Sequence, residues 1–135
     1  MFRIIIAILF FLHGLVHLLY LGHSLHWFEL KPGLTWPNGS WAISSILGEE
    51  LNRKLADIAL GIAAAGFLLG GAALFFKQAW WHPVITASAV FSAGLFLFFW
   101  NGRNEKLDQQ GGIGLAVDGL ILATVFLLGW PSFYF

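Results

Sequence analysis

At 135 residues, with 59% hydrophobic and 10% charged side chains and a mean hydropathy of +0.79, the chain carries far less charge than the roughly 25% of a soluble domain. Its apolar residues come in long blocks, the mark of an integral membrane protein. Seven Lys/Arg balance seven Asp/Glu and cysteine is absent, which excludes an electrostatic nucleic-acid binder, disulfides, thiolate metal sites and cysteine nucleophiles.

The expected fold is all-α: one integral membrane four-helix bundle, a single domain over 1–135. Its spans lie at about 2–25, 55–76, 83–100 and 112–130, with a long aromatic loop between spans one and two. Each approaches the roughly 20 residues that a tilted helix needs to cross the hydrocarbon, and spans of this length must be helical because lipid offers no partner for open backbone groups. The N-terminus has one early cation, Arg3, and no small-x-small cleavage site before Leu25. It reads as a retained span, not a cleaved signal peptide.

Span one contains "FLHGLVHLLYLGHSLHW", with four histidines in an apolar run. At 100° per residue, His13, His17, Tyr20 and Ser24 share one face. His23 lies to one side of this stripe and His26 at the interface. The first connection, 26–54, carries turn signals at Pro32-Gly33 and Pro37-Asn38-Gly39 and a helix start near Ser40. Trp27, Trp36 and Trp41 read as interfacial anchors, with the lining of a pocket lid as the alternative. In span two, Arg53 and Asp57 are four apart and able to pair. Gly66 and Gly70 form a GxxxG that serves either packing within the chain or a homo-oligomer face.

The short "KQAWWHP" makes spans two and three an antiparallel hairpin, with Pro83 in the first turn of span three. Span three ends at Asn101. The third connection, "NGRNEKLDQQGG", is polar and short. Span four holds Asp118 about six residues in; "GGIGLAVDG" around it is glycine-rich for close helix packing, and no strand precedes it to make a phosphate loop.

An even number of spans places both termini on one side. That side holds Arg3 and Lys77, against Lys31, Arg53, Lys54, Arg103 and Lys106 on the other, so the positive-inside rule puts the termini outside a cell membrane. In this topology His17, Tyr20, Arg53, Asp57, Asn101 and Asp118 all fall in the half of the bundle that faces the first and third connections.

An intramembrane carboxylate is a functional candidate by default, so Asp118 heads the candidate ligand-binding set His13, His17, Tyr20, Arg53, Asp57, Asn101 and Asp118. No catalytic residue is assigned, no cofactor is named, and whether the chain is an enzyme stays open. The first reading is a small polar or amphipathic ligand, a lipid head group or quinone-like, held in the polar half with Arg53 at its mouth. The second is a metal-binding or redox accessory subunit using His13, His17 and Asp118, since an i, i+4 histidine pair presents two imidazoles to one ion. The third is a structural protein that holds a membrane-protein partner. The histidines also have a plain alternative, bonding to a carboxylate across the bundle.

The marks "LHGLVHLL", Trp41, Arg53, "WWHP", Ser92, Trp100 and "GLAVDG" spread over nearly the whole chain. On them the chain resembles a family of small four-span prokaryotic membrane proteins, DoxX-like in plan. The resemblance implies the bundle, and it implies that His13, His17, Arg53 and Asp118 are recurrent polar marks. DoxX-like relatives include subunits associated with quinone oxidoreduction, an analogy at the level of fold.

Overall fold

The structure is a computed structural model that describes residues 1–30, 32–34, 36, 37, 39–103 and 111–135. Most of the third connection, together with Lys31, Asn38 and Lys106, lies outside the described residues. Those residues form helices and connecting turns, without strands. The helices are α1 (Phe2–Ser24), α2 (Ser44–Phe75), α3 (Trp81–Phe98) and α4 (Gly112–Ile121), and α4 continues as a π-helical segment, Leu122–Leu127. Among the described residues, α1, α2 and α3 are long and apolar enough to cross a membrane. At 1.5 Å per residue, the 23 residues of α1 rise about 34 Å and the 18 of α3 about 27 Å. The hydrocarbon layer is roughly 30 Å thick. α1 turns Ile5, Ile8, Leu9, Leu12, Leu15 and Leu19 outward, an apolar exterior that suits lipid.

Two boundaries differ from expectation. α2 starts at Ser44, four residues after the helix start expected near Ser40, and its 32 residues join that amphipathic first part to span two across a kink. The stretch 44–54 reads as an amphipathic surface piece, and a kink at Gly48 separates the short helical stretch 44–47 from the helix that continues into the span. Gly48 adopts φ 78°, ψ 169°, a left-handed conformation available to glycine at no Cβ penalty. Ser40 does not cap the helix. It sits four residues upstream, where its Oγ accepts from the amides of Ala42 (3.2 Å) and Ile43 (3.4 Å) and donates to the Phe98 carbonyl at 2.6 Å. The fourth helix ends at Leu127 rather than near 130, with ten α-helical and six π-helical residues.

The helices pack in chain order, α1 on α2, α2 on α3 and α3 on α4, and no comparable packing joins α1 to α4 among the described residues. Glycines set the close seams. A Cβ on Gly14 would lie 3.1 Å from Phe67 Cβ and 3.3 Å from the Ala64 carbonyl, so α1 and α2 approach only because that position is bare. Gly66 and Gly70 face Ser88 and Ile85 of α3. The GxxxG therefore packs within the chain, on the face that a second copy would need.

Two apolar cores result. One gathers Ile6, Phe10, Phe67, Leu74, Trp81, Ile85, Ile121 and Val125 at the end nearer the termini. The other gathers Tyr20, Leu60, Leu95, Phe96 and Phe99 with Leu34 and Trp36 from the first connection. Trp36 is no interfacial anchor. It is fully buried, its ring centroid 5.5 Å from Tyr20 and 4.9 Å from Phe96, and it plugs that end of the bundle. The Asn52 amide holds the plug by donating to the Pro37 carbonyl at 3.0 Å. His23 ties the same connection to α1, donating to the Leu34 carbonyl at 3.2 Å and accepting from the Leu30 amide at 3.3 Å. Trp27 and Trp41 are exposed, as anchors would be.

Candidate functional site

Between the two cores lies a buried polar chain. Its members come from α1, α3 and α4. His13 and His17 are one helical turn apart, so both rings leave α1 on the same side. His13 Nε2 lies 2.8 Å from Asp118 Oδ1. Asp118 Oδ2 lies 2.5 Å from Ser92 Oγ. Ser92 Oγ lies 2.6 Å from His17 Nε2. His17 Nδ1 closes the chain by donating to the main-chain carbonyl of His13 at 2.9 Å. His17, Ser92 and Asp118 have no exposed surface and His13 has 7%.

The walls are aromatic. Phe67 of α2 stacks on His17 with centroids 5.3 Å apart and meets His13 edge-on at 4.5 Å. Phe96 of α3 covers the far side of His17 at 5.8 Å. Isolated polar groups in such surroundings would cost several kcal/mol each. They persist because each is bonded to the next, and a network of this kind is stable only when every member is satisfied.

The expected site residues divide. His13, His17 and Asp118 meet. Tyr20 does not reach the polar chain; its ring packs against Trp36 and Phe96, centroids 5.5 and 5.6 Å away. Arg53 and Asp57 belong to a separate cleft of about 370 Å³ at the α1–α2 mouth, with Ser24, His26, Glu49, Glu50 and Lys54. There the Arg53 guanidinium donates to His26 Nε2 at 2.7 Å, a contact that gives His26 a partner within the chain. Asn101 is exposed, and its Oδ1 accepts from the Arg103 amide at 3.0 Å, a local turn away from both sites. The single polar half is thus two sites, the buried chain of His13, His17, Ser92 and Asp118 and the cleft that holds Arg53 and Asp57.

Ser92 is the member of the polar chain that site reasoning from the sequence missed. It stands among the family marks, but serine in an apolar helix is commonly bonded to its own backbone, as Ser88 is to Val84 at 2.7 Å. The available signal is its level. Ser92 lies near the middle of span three, at the depth expected of His17 and Asp118.

The seam between α1 and α4 holds a groove of about 470 Å³, lined by Ile6, Leu9, Phe10 and His13 on one side and by Val117, Leu120, Ile121, Thr124, Val125, Trp130 and Pro131 on the other. It is almost wholly apolar, and His13 is its only ionisable side chain. The π-helical segment forms part of its wall. The wider turn there gives the Val125 carbonyl a side-chain partner, since His82 donates to it at 2.9 Å, and such segments recur at functional sites. The groove lies in the half nearer the termini, not in the half that holds Arg53 and Asp57.

The ligating atoms of His13, His17 and Asp118 lie within 4.8 Å of one another, close enough for one metal ion. The Ser92 hydroxyl, however, stands between His17 and Asp118 and bonds to both, and His13 bonds to Asp118 directly. An ion would have to displace those contacts, and the His17 Nδ1 is already committed to the backbone.

Comparison of the chain with protein-family models, with curated proteins and with solved structures finds no match. The class that fold and site define is therefore stated from the geometry: a helical protein with three membrane-length apolar helices and a buried His–Asp–Ser–His chain beside an apolar groove.

Proposed function

We propose that the protein is a four-span membrane protein, DoxX-like in plan, that binds a small amphipathic ligand in the groove between α1 and α4. The apolar tail lies along Ile6, Leu9, Leu120 and Ile121, and the polar head meets His13. Both termini lie on the outer side of the cell membrane, and the shorter fourth helix completes the bundle. One observation carries this reading. His13 belongs both to the buried polar chain, through Asp118, and to the lining of the groove. A lipid-filled seam would need no ionisable group, whereas a recognition site needs a few placed polar groups in an apolar pocket.

A quinone-like head and a lipid head group share the required chemistry, an apolar tail ending in a small hydrogen-bonding group. Fluorescence separates them, because Trp130 lines the groove. A decyl-substituted benzoquinone added to the protein in nanodiscs should quench tryptophan emission with a saturable component. Val117→Phe, which fills the groove, should remove that component. Quenching that rises linearly and equally in both proteins would refute a quinone site. Mass spectrometry of lipid retained by the wild type and lost from the filled variant would assign the head to a lipid instead. Failure of both would end the binding reading.

A further inference from the structure

The buried chain has four hydrogen bonds, and each needs its own proton. The His13 carbonyl can only accept, so the proton in the first bond sits on His17 Nδ1. The remaining contacts, at 2.6 Å (His17 Nε2 to Ser92), 2.5 Å (Ser92 to Asp118) and 2.8 Å (Asp118 to His13), are each too short for two facing lone pairs. Two neutral imidazoles, one hydroxyl and one ionised carboxylate supply only three protons. The geometry calls for a fourth.

We infer that the His13–Asp118–Ser92–His17 chain holds one proton beyond that complement, shared between Asp118 and His17 through the Ser92 hydroxyl. Two placements satisfy every bond. In one, the Asp118 carboxyl is neutral, donates to Ser92, and Ser92 donates to neutral His17. In the other, His17 is an imidazolium that donates to Ser92, and Ser92 donates to the Asp118 carboxylate. The two contain the same protons and the same net charge of zero. They interconvert when the Ser92 hydroxyl reverses direction, its own proton passing to one neighbour as it takes one from the other. Placing the extra proton on His13 does not work, because the His17–Ser92–Asp118 stretch would then still lack one.

The surroundings fit a chain that stays neutral as a whole. From α1 the titratable groups are His13 and His17, and from α4 Asp118. α2 presents Phe67, and α3 presents Ser92 and Phe96. A net charge here would sit between two apolar cores. In both placements His13 uses its Nε2 proton toward Asp118, which leaves Nδ1 a bare acceptor. As a deepening of the proposed function, resting on that reading, the groove then selects a head that carries a hydroxyl: a phenol, a quinol or an alcohol.

The experiment uses ligand-free protein, so its outcome is independent of whether the groove binds anything. Infrared spectra at mildly alkaline pH detect a protonated carboxyl, and nitrogen-15 spectra of labelled histidine detect an imidazolium. Wild type should show one or the other, at one equivalent per chain. Either signal should vanish in Asp118→Asn, whose amide supplies the fourth proton. Ser92→Thr should retain it. An ionised Asp118 together with two neutral histidines in the wild type would overturn the inference. So would an imidazolium that survives Asp118→Asn, or one equivalent of zinc in protein purified after metal-supplemented expression, since the ion would then stand where the proton does.

Discussion

Asp118 is the acceptor or donor in two of the four buried bonds, so its replacement tests the chain most directly. Asp118→Ala removes the partners of His13 (2.8 Å) and Ser92 (2.5 Å) at a site without exposed surface. A buried polar group left without a partner costs about 1–3 kcal/mol. Two of them bracket the loss at roughly 2–6 kcal/mol. Ser92 can still donate to His17, and His13 can move its proton to Nδ1, so the lower half of that range applies, about 3 kcal/mol. Asp118→Asn is the informative control. Its carbonyl can accept from His13, its amide can donate to Ser92, and Ser92 can donate to a neutral His17. All four bonds persist with no extra proton, so the loss should stay below about 1 kcal/mol. A gap of about 2 kcal/mol is roughly thirtyfold in the unfolding equilibrium. Reversible unfolding in mixed micelles, titrated with dodecyl sulfate, measures it. Equal destabilisation by alanine and asparagine would refute the bonding pattern, as would an alanine variant as stable as wild type.

The other consequences concern packing and recognition. Gly14→Val puts a branched side chain where a single Cβ already lies 3.1 Å from Phe67 and 3.2 Å from Leu68. It should cost about 1–3 kcal/mol, and an unchanged micelle titration would contradict the close α1–α2 seam. Trp36→Ala empties the plug and should cost about 3–5 kcal/mol if the connection does not collapse into the space. Protease cleavage within 25–43 should also speed up, and cleavage at the wild-type rate would show that the connection does not pack into the bundle. In the groove, a long-chain alkyl phenol should bind more tightly than its methyl ether. One hydrogen bond to His13 Nδ1, worth about 1 kcal/mol, gives roughly a fivefold ratio of Kd. Equal affinities would remove His13 as the acceptor.

The parts of the molecule set by local periodicity were legible. The apolar runs mark α1 and α3 to within two residues at either end, and the i, i+4 spacing puts His13 and His17 on one face. What one sequence does not encode locally is how helices are rotated and shifted against one another. Counting depth placed Arg53, Asp57, Tyr20 and Asn101 at one level with Asp118. Level alone does not make contact: Arg53 and Asp57 line a cleft of their own, while Trp36, inserted from the connection, packs against Tyr20 and Phe96. Trp36 was hidden for a related reason. A tryptophan beside a span reads as an interfacial anchor, and burial by a returning loop leaves no periodic trace. The start of α2 ahead of the apolar span was legible from the turn signals before Ser40, and its charged first part pairs Glu50 with Lys54 at 2.8 Å on the exposed surface. The π segment followed no apolar signal, because widening a turn does not change the residues that it contains.

The distribution of small residues explains why chemistry collects on one seam. The α1–α2 and α2–α3 contacts are drawn tight by Gly14, Gly71, Gly66 and Gly70, each within contact distance of a neighbouring helix. Gly111 and Gly114 do the same for α4 against Phe96 of α3. Helices that approach so closely leave no room for a ligand and need no polar link, because dispersion over the shared surface holds them. α1 and α4 have no such contact. A groove lies in their seam, and the joining element there is the His13–Asp118 bond at 2.8 Å. On the proposed binding reading, that bond has two tasks with opposite demands. It must hold the seam, which favours a permanent, neutral, fully satisfied link. It must also offer something to whatever enters the groove, which favours an unused polar atom. The two-nitrogen ring of histidine meets both, one nitrogen turned to the carboxyl and the other left over. His13→Phe should consequently lose both, destabilising the fold by about 1–3 kcal/mol through the unpartnered Asp118 oxygen and abolishing the preference for the phenol over its ether. A variant that kept the preference would show that the ligand head is read by another group.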